Sequence, residues 1–101
     1  MSRMAVQSFA NKALERFFFD GAIPKRAGWS GVARVVARKL DILDYAERLG
    51  DLASPPGNRL EALKGNMIGY HSIRINDQWR VIFRWTDAGP MDVDVVDYHQ
   101  G

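Results

Sequence analysis

Cysteine is absent from the sequence, which excludes disulfide staples and thiolate-held metal and fits a cytoplasmic setting. Histidine is scarce: only His71 and His99 occur, and no His-x-x-x-His or clustered carboxylate spacing joins them. No metal is therefore expected. Long apolar runs are missing too, and none approaches the roughly 20 residues of a membrane-spanning helix. The N-terminal residues hold a single arginine and no apolar core before a cleavage-like site, so no signal peptide is expected. Glycine-rich phosphate loops are lacking. Lys64-Gly65-Asn66 has neither the glycine spacing nor a following helix, and reads as a turn. There is no internal repeat and no low-complexity stretch.

What remains is ordinary in bulk and uneven in detail. The 101 residues suffice for one core and not for two, so a single domain over residues 1–101 is expected. A hydrophobic share of 47% and a charged share of 26% exclude a disordered chain. Net charge is only +2, so the placement of charge must decide whether a polyanion is a partner. Arg59, Lys64, Arg74, Arg80 and Arg84 crowd residues 58–84 against Glu61 and Asp77, with Asp92, Asp94 and Asp97 following.

Periodicity divides the chain in two. Ala5, Val6 and Phe9 suit a brief edge strand, and Ser8 is the expected N-cap of a helix over residues 9–19, ended by Asp20-Gly21. A longer helix is expected over residues 30–48, its stripe made by Val32, Val36, Leu40, Leu43 and Ala46. Arg34, Arg38, Lys39 and Asp41 read as a solvated face of that helix in preference to an RNA-binding one. Ser54-Pro55-Pro56-Gly57 can only be a loop. Strand character follows over residues 59–63, 70–75, 79–85 and 91–98. The fold class is therefore α+β, two N-terminal helices packed on one face of a small antiparallel sheet.

Parity sharpens the sheet. Ile73, Ile75, Val81, Phe83 and Trp85 are odd-numbered and apolar, while Arg74, Arg80 and Arg84 are even-numbered and charged. A three-residue loop, Asn76-Asp77-Gln78, keeps the odd residues together and sets Arg74 across from Arg80. Pairing Val93 with Phe83 in the last hairpin puts Arg84 beside Asp92 and leaves Arg80 opposite Val96. Arg74, Arg80 and Tyr98 are then expected to share one open face, with no carboxylate beside Arg80.

Asp97-Tyr98-His99 admits two readings. It is an ordinary strand end, or it brings a phenol and an imidazole to Arg80 beside a phosphate-sized space. The second set suits cleavage of RNA, in which a 2′-hydroxyl is activated, an oxyphosphorane is stabilised and a 5′-oxygen is protonated. Arginine fits the stabilising role because its planar fork meets two phosphate oxygens at once. His71, in step with Ile73 and Ile75, reads as a half-buried strand residue.

Leu60-Glu61-Ala62-Leu63-Lys64-Gly65, Gly69-Tyr70, Ser72-Ile73-Arg74-Ile75-Asn76, Gln78-Trp79-Arg80-Val81-Ile82-Phe83-Arg84-Trp85 and Val96-Asp97-Tyr98-His99 together resemble the HigB toxins of the RelE/ParE superfamily. The resemblance implies a RelE-like fold and a type II toxin. It would be a metal-independent endoribonuclease that cuts messenger RNA on the ribosome, without a cofactor. Its partner would be a HigA-like helix-turn-helix antitoxin, with DNA met only through that partner. On this resemblance Arg80 holds the scissile phosphate and Lys64 is a second basic group. His99 and Glu61 are candidates for proton transfer, Tyr98 orients the nucleotide and Asp97 positions His99. Arg74, Arg84 and Arg59 are the candidate RNA-binding residues. The chain departs from the family in three places: Glu61 stands where some members have histidine, Met67-Ile68 fills a usually polar turn, and His71 replaces a common tryptophan. Two rivals stand beside this reading, a ParE-like toxin that binds a protein such as gyrase and a decayed homologue that only binds antitoxin.

Overall fold

The structure, a computed structural model, describes residues 5–98. His99 lies outside the described residues. The first helix, α1 (Lys12–Asp20), starts at Asn11, whose side-chain oxygen accepts from the Leu14 amide at 2.8 Å. Ser8 had been the expected cap. It sits instead in an extended segment that runs along the last strand, where its hydroxyl accepts from the Asp92 amide at 2.9 Å. Phe9 makes a parallel bridge to Val93, so the brief edge strand exists as that bridge and the helix begins later than periodicity implied. Gly21 closes α1 at φ 76° and sends its amide to the Phe17 carbonyl, a left-handed cap that glycine adopts without strain.

The second helix, α2 (Ala33–Tyr45), is entered through a 3₁₀ turn at Gly28–Val32. It stops short of the expected residue 48 because the Asp51 carboxylate captures the Glu47 and Arg48 amides at 3.0 and 3.1 Å. A side chain that offers the backbone another acceptor competes with the helix ladder. A further 3₁₀ turn, Leu49–Ala53, follows.

Four antiparallel strands then lie in sequence order: β1 (Glu61–Ala62), β2 (Tyr70–Arg74), β3 (Trp79–Thr86) and β4 (Gly89–Asp97). The parity argument for the first hairpin holds: Ile73 pairs with Val81 and Arg74 with Arg80. The Asn76 side chain accepts from the Gln78 and Trp79 amides and closes the three-residue loop. The odd-numbered Ile73, Ile75, Val81, Phe83, Val93 and Val95 are buried in one cluster with Leu14, Phe17, Trp29, Val36, Leu40 and Leu43 of the helical half. Each such buried side chain contributes about 1.5–3 kcal/mol of apolar transfer.

Two expectations for the sheet fail. The strand expected over residues 59–63 shrinks to Glu61–Ala62, because Arg59 takes a left-handed conformation at φ 47° and cannot extend it. In the last hairpin Arg80 does face Val96, but a bulge after Ile82 pairs Arg84 with Met91 instead of Asp92. Asp92 has φ 54°, an irregularity that the Ser8 hydroxyl stabilises.

Candidate functional site

The even-numbered side chains of β2 and β3 build the site. Ser72 of β2 and Arg80 of β3 are both buried, at 0% and 5% exposure. The Arg80 guanidinium sends Nε to the Ser72 hydroxyl at 2.8 Å and Nη2 to the carbonyls of Arg59 and Ser72. Its Nη1 lies 3.3 Å from the Glu61 carboxylate, and its Cζ stands 5.0 Å from the centre of the Tyr98 ring. Five rigid N–H donors let arginine satisfy several acceptors at once.

Arg80 was expected on an open face without a carboxylate; it is neither open nor unpaired. The reason is long-range. Glu61 pairs with Ser72 across β1 and β2, which carries its side chain over the same face as Arg80. Arg74, its cross-strand neighbour, is held by Asp77 in an i,i+3 ion pair. The like-charged pair is thus offset at both members. Burial lowers the Arg80 pKa below its usual value; Glu61 and Tyr98 oppose the shift, and Arg74 and Arg59 add to it. The group stays cationic, because guanidinium does not lose its proton in proteins.

The anchors are unequal. Ser72 and the backbone carbonyls are fixed parts of the sheet and loop, whereas the Glu61 side chain is 50% exposed on a two-residue edge strand. An incoming anion can therefore displace Glu61 from Nη1 while Nε and Nη2 stay tethered. Two adjoining hollows offer the space. One, of about 440 Å³, is lined by Glu61, Ala62, Leu63, Lys64, Met67 and Tyr98. The other, of about 370 Å³, is lined by Arg59, Glu61, Arg74, Asn76, Asp77, Arg80 and Tyr98. Glu61 and Tyr98 line both.

Of the expected site residues, Arg80, Tyr98, Glu61 and Lys64 come together here, with Arg59 and Arg74 on the second hollow. Arg84 does not join them. It is exposed, 3.7 Å from Asp92 and 5.9 Å from the Tyr70 ring centre. Asp97 is exposed and accepts from Gln78 Nε2 at 3.0 Å, while His99, which it was expected to position, lies outside the described residues. His71 is half-buried and stacks on Phe83, its Nδ1 without a hydrogen-bond partner. Of the unusual turn, Met67 lines the first hollow and Ile68 is 79% exposed. Among the described residues, no group of three His, Cys, Asp or Glu side chains could hold a metal ion.

Residue-type reasoning missed two supports. Ser72 as the Arg80 acceptor shows only as an even-numbered polar residue between His71 and Ile73. Lys39, expected on a solvated face, is 7% exposed and donates to the fully buried Asn58. Its burial was readable in the spacing, since Lys39 follows Val36 by three and precedes Leu43 by four.

A family profile described as "RelE-like toxin of type II toxin-antitoxin system HigB" matches residues 7–99. The chain belongs to the HigB-like toxin family. Toxin HigB-1 of Vibrio cholerae serotype O1 is 47% identical over 80 residues, covering 79% of this chain and 83% of the relative. Endoribonuclease HigB of Proteus vulgaris is 29% identical over 94 residues, covering 93% and 99%. In structure, the HigB-like chain is similar to YoeB in the Staphylococcus aureus YoeB-YefM complex. The TM-score is 0.55 at 20% identity, over 97% of this chain and 99% of that one. A YoeB/ParE toxin from Agrobacterium tumefaciens follows at TM-score 0.52 and 19% identity, over 94% and 99%. These neighbours establish the RelE-like α+β fold. Among the described residues, no helix is long and apolar enough to cross a membrane.

Proposed function

We propose that this HigB-like toxin is a single-domain, cytoplasmic, metal-independent endoribonuclease that cuts messenger RNA on the ribosome. A HigA-like helix-turn-helix antitoxin holds it inactive, and it meets DNA only through that partner. The observation that carries the reading is Arg80: a tethered guanidinium whose carboxylate partner Glu61 is half-exposed and can yield to a phosphate. The name of the Proteus vulgaris relative, an endoribonuclease, supports it.

In this reading the scissile phosphate replaces Glu61 on Nη1, and Lys64 in the adjoining hollow meets charge that develops on the phosphoryl oxygens. The Tyr98 ring, already packed on Arg80, orients the nucleotide that spans the two hollows. Glu61, once freed from Arg80, and His99 are the groups that remove the 2′-hydroxyl proton and supply the proton of the leaving 5′-oxygen. Arg59 and Arg74 steer the flanking backbone, with Arg84 at the far end of the strand.

Primer extension on messages from cells induced for the chain tests this, since only a nuclease leaves discrete cuts. A toxin that binds a protein such as gyrase slows growth without them. Arg80→Ala should remove cuts and growth arrest while circular dichroism reports a folded chain, a loss of at least about 100-fold in rate. Undiminished cutting by Arg80→Ala ends the phosphate-holding role.

A further inference from the structure

Asn58 is polar yet fully buried, at the end of the 3₁₀ turn Pro56–Asn58. Its side-chain oxygen accepts from Lys39 Nζ, and its Nδ2 donates to the carbonyls of Leu52 and Ser54 at 3.1 and 3.2 Å. The side chain thus ties three points together: helix α2, the 3₁₀ turn after it, and the start of the proline loop. Lys39 is itself 7% exposed. Burying an ammonium against a neutral amide is costly, and an apolar residue fills such a place at lower cost. Stability alone gives no reason for this pair.

The next residue supplies one. Arg59 is held at φ 47°, with its amide bonded to the Pro56 carbonyl at 3.1 Å. In that conformation its own carbonyl accepts from Arg80 Nη2. An extended Arg59 would turn the carbonyl elsewhere, because the peptide plane rotates with the backbone angles. A non-glycine residue in this region is strained and persists only where its surroundings impose it. Arg59 follows directly on Asn58, whose side chain is gripped from α2.

We infer that Asn58, clamped by Lys39, is a positioning residue for Arg80, acting through the Arg59 carbonyl that anchors the guanidinium; this rests on the nuclease reading above. The clamp lets Glu61 leave Nη1 without the guanidinium following it. Without the clamp, Arg80 keeps its charge and its strand position but loses the direction of its fork, and a misplaced catalytic group loses rate more than binding.

The test compares Asn58→Ala with Lys39→Met, which keeps side-chain length and fills the same space. The first readout is the Arg80 Nε–H signal in ¹⁵N–¹H spectra, identified by its loss in Arg80→Ala, and its exchange with water. The second is message cleavage in induced cells by primer extension. Faster Arg80 exchange and cleavage reduced about tenfold, in chains with native circular dichroism, are expected in both variants. Lys39→Arg, which keeps the donor, should restore both. If Asn58→Ala does not fold, Lys39→Met decides alone. An inert Arg80→Ala chain together with an unmoved Arg80 signal in the folded variants overturns the positioning role and leaves the nuclease reading intact. An Arg80→Ala chain that still cuts message overturns the nuclease role of Arg80, and this inference with it.

Discussion

Arg80 and Arg84 stand on the same face of β3, and the sheet treats them as different residues. Arg80 is 5% exposed and bonded to a hydroxyl, two carbonyls and a carboxylate, whereas Arg84 is exposed with one distant carboxylate and a tyrosine ring beside it. The difference lies in what crosses from neighbouring strands. At the Arg80 end, β1 and the loop before it close over the sheet and deliver Glu61 and the Arg59 carbonyl. At the Arg84 end, the Asp92 bulge breaks the register, and the pair that results is solvent-screened and worth about 0–1 kcal/mol. Identical residue types on one strand face thus differ in burial and bonding according to what the adjoining strand brings.

The sharpest way to break this comparison keeps the charge and changes the shape. Arg80→Lys should cost message cleavage about 100-fold or more, since lysine lacks the fork that the Ser72 and Arg59 acceptors require, while Arg84→Lys should change it about twofold at most. Equal losses in a primer-extension series would erase the distinction between the two arginines. Next in size is Glu61→Gln, which keeps the shape and removes the proton acceptor. Cleavage should fall about 100-fold, while affinity for a 2′-O-methyl RNA probe holds or rises because Arg80 has lost its competitor. Weaker probe binding would instead make Glu61 a contact to RNA.

Ser72→Ala comes third. It leaves Arg80 Nε without its buried acceptor, which should cost about 1–3 kcal/mol in urea titrations and about tenfold in cleavage. An unchanged midpoint would mean that water replaces the hydroxyl. The smallest effect is expected at Asp94, on the same face of the neighbouring strand. Burial raises its pKa above the usual carboxylate value, against the Val95 amide and the Asn11 side chain, which lower it. The folded chain therefore holds that proton more tightly than the unfolded chain, so this group favours folding most at acid pH and less as pH rises through its folded pKa. Asp94→Asn should raise Tm slightly at neutral pH, and the gain should vanish as pH falls below that pKa. A gain that grows with acidity would reverse the sign.

Much of the fold was legible because its signals are local. Strand period and loop parity set Ile73 against Val81 and Arg74 against Arg80 with no knowledge of the rest of the chain. The site was legible in part. Arg80, Tyr98, Glu61 and Lys64 were named from the sequence and do meet, with Arg59 and Arg74 beside them, while Arg84 stands apart. Helix ends were misread where a side chain outcompeted the pattern, as Asn11 did at the start of α1 and Asp51 after α2. Lys39 was misread because a long cationic side chain was assigned to solvent by type rather than by its place in the helical repeat.

By itself, then, the sequence determined the two faces of the sheet, the helical half that covers one of them, and most of the residues that gather around Arg80. These follow from spacing along the chain, which the backbone geometry of helix and strand converts directly into direction. Strand parity brought Tyr98 to Arg80, but only the tertiary structure decided which acceptors hold the guanidinium. Its carboxylate comes from a two-residue strand whose register no local pattern specifies, and its carbonyl anchor from a left-handed Arg59 held beside the buried Asn58. Such contacts join residues distant in sequence through backbone groups that every amino acid carries, so no residue type marks them in advance.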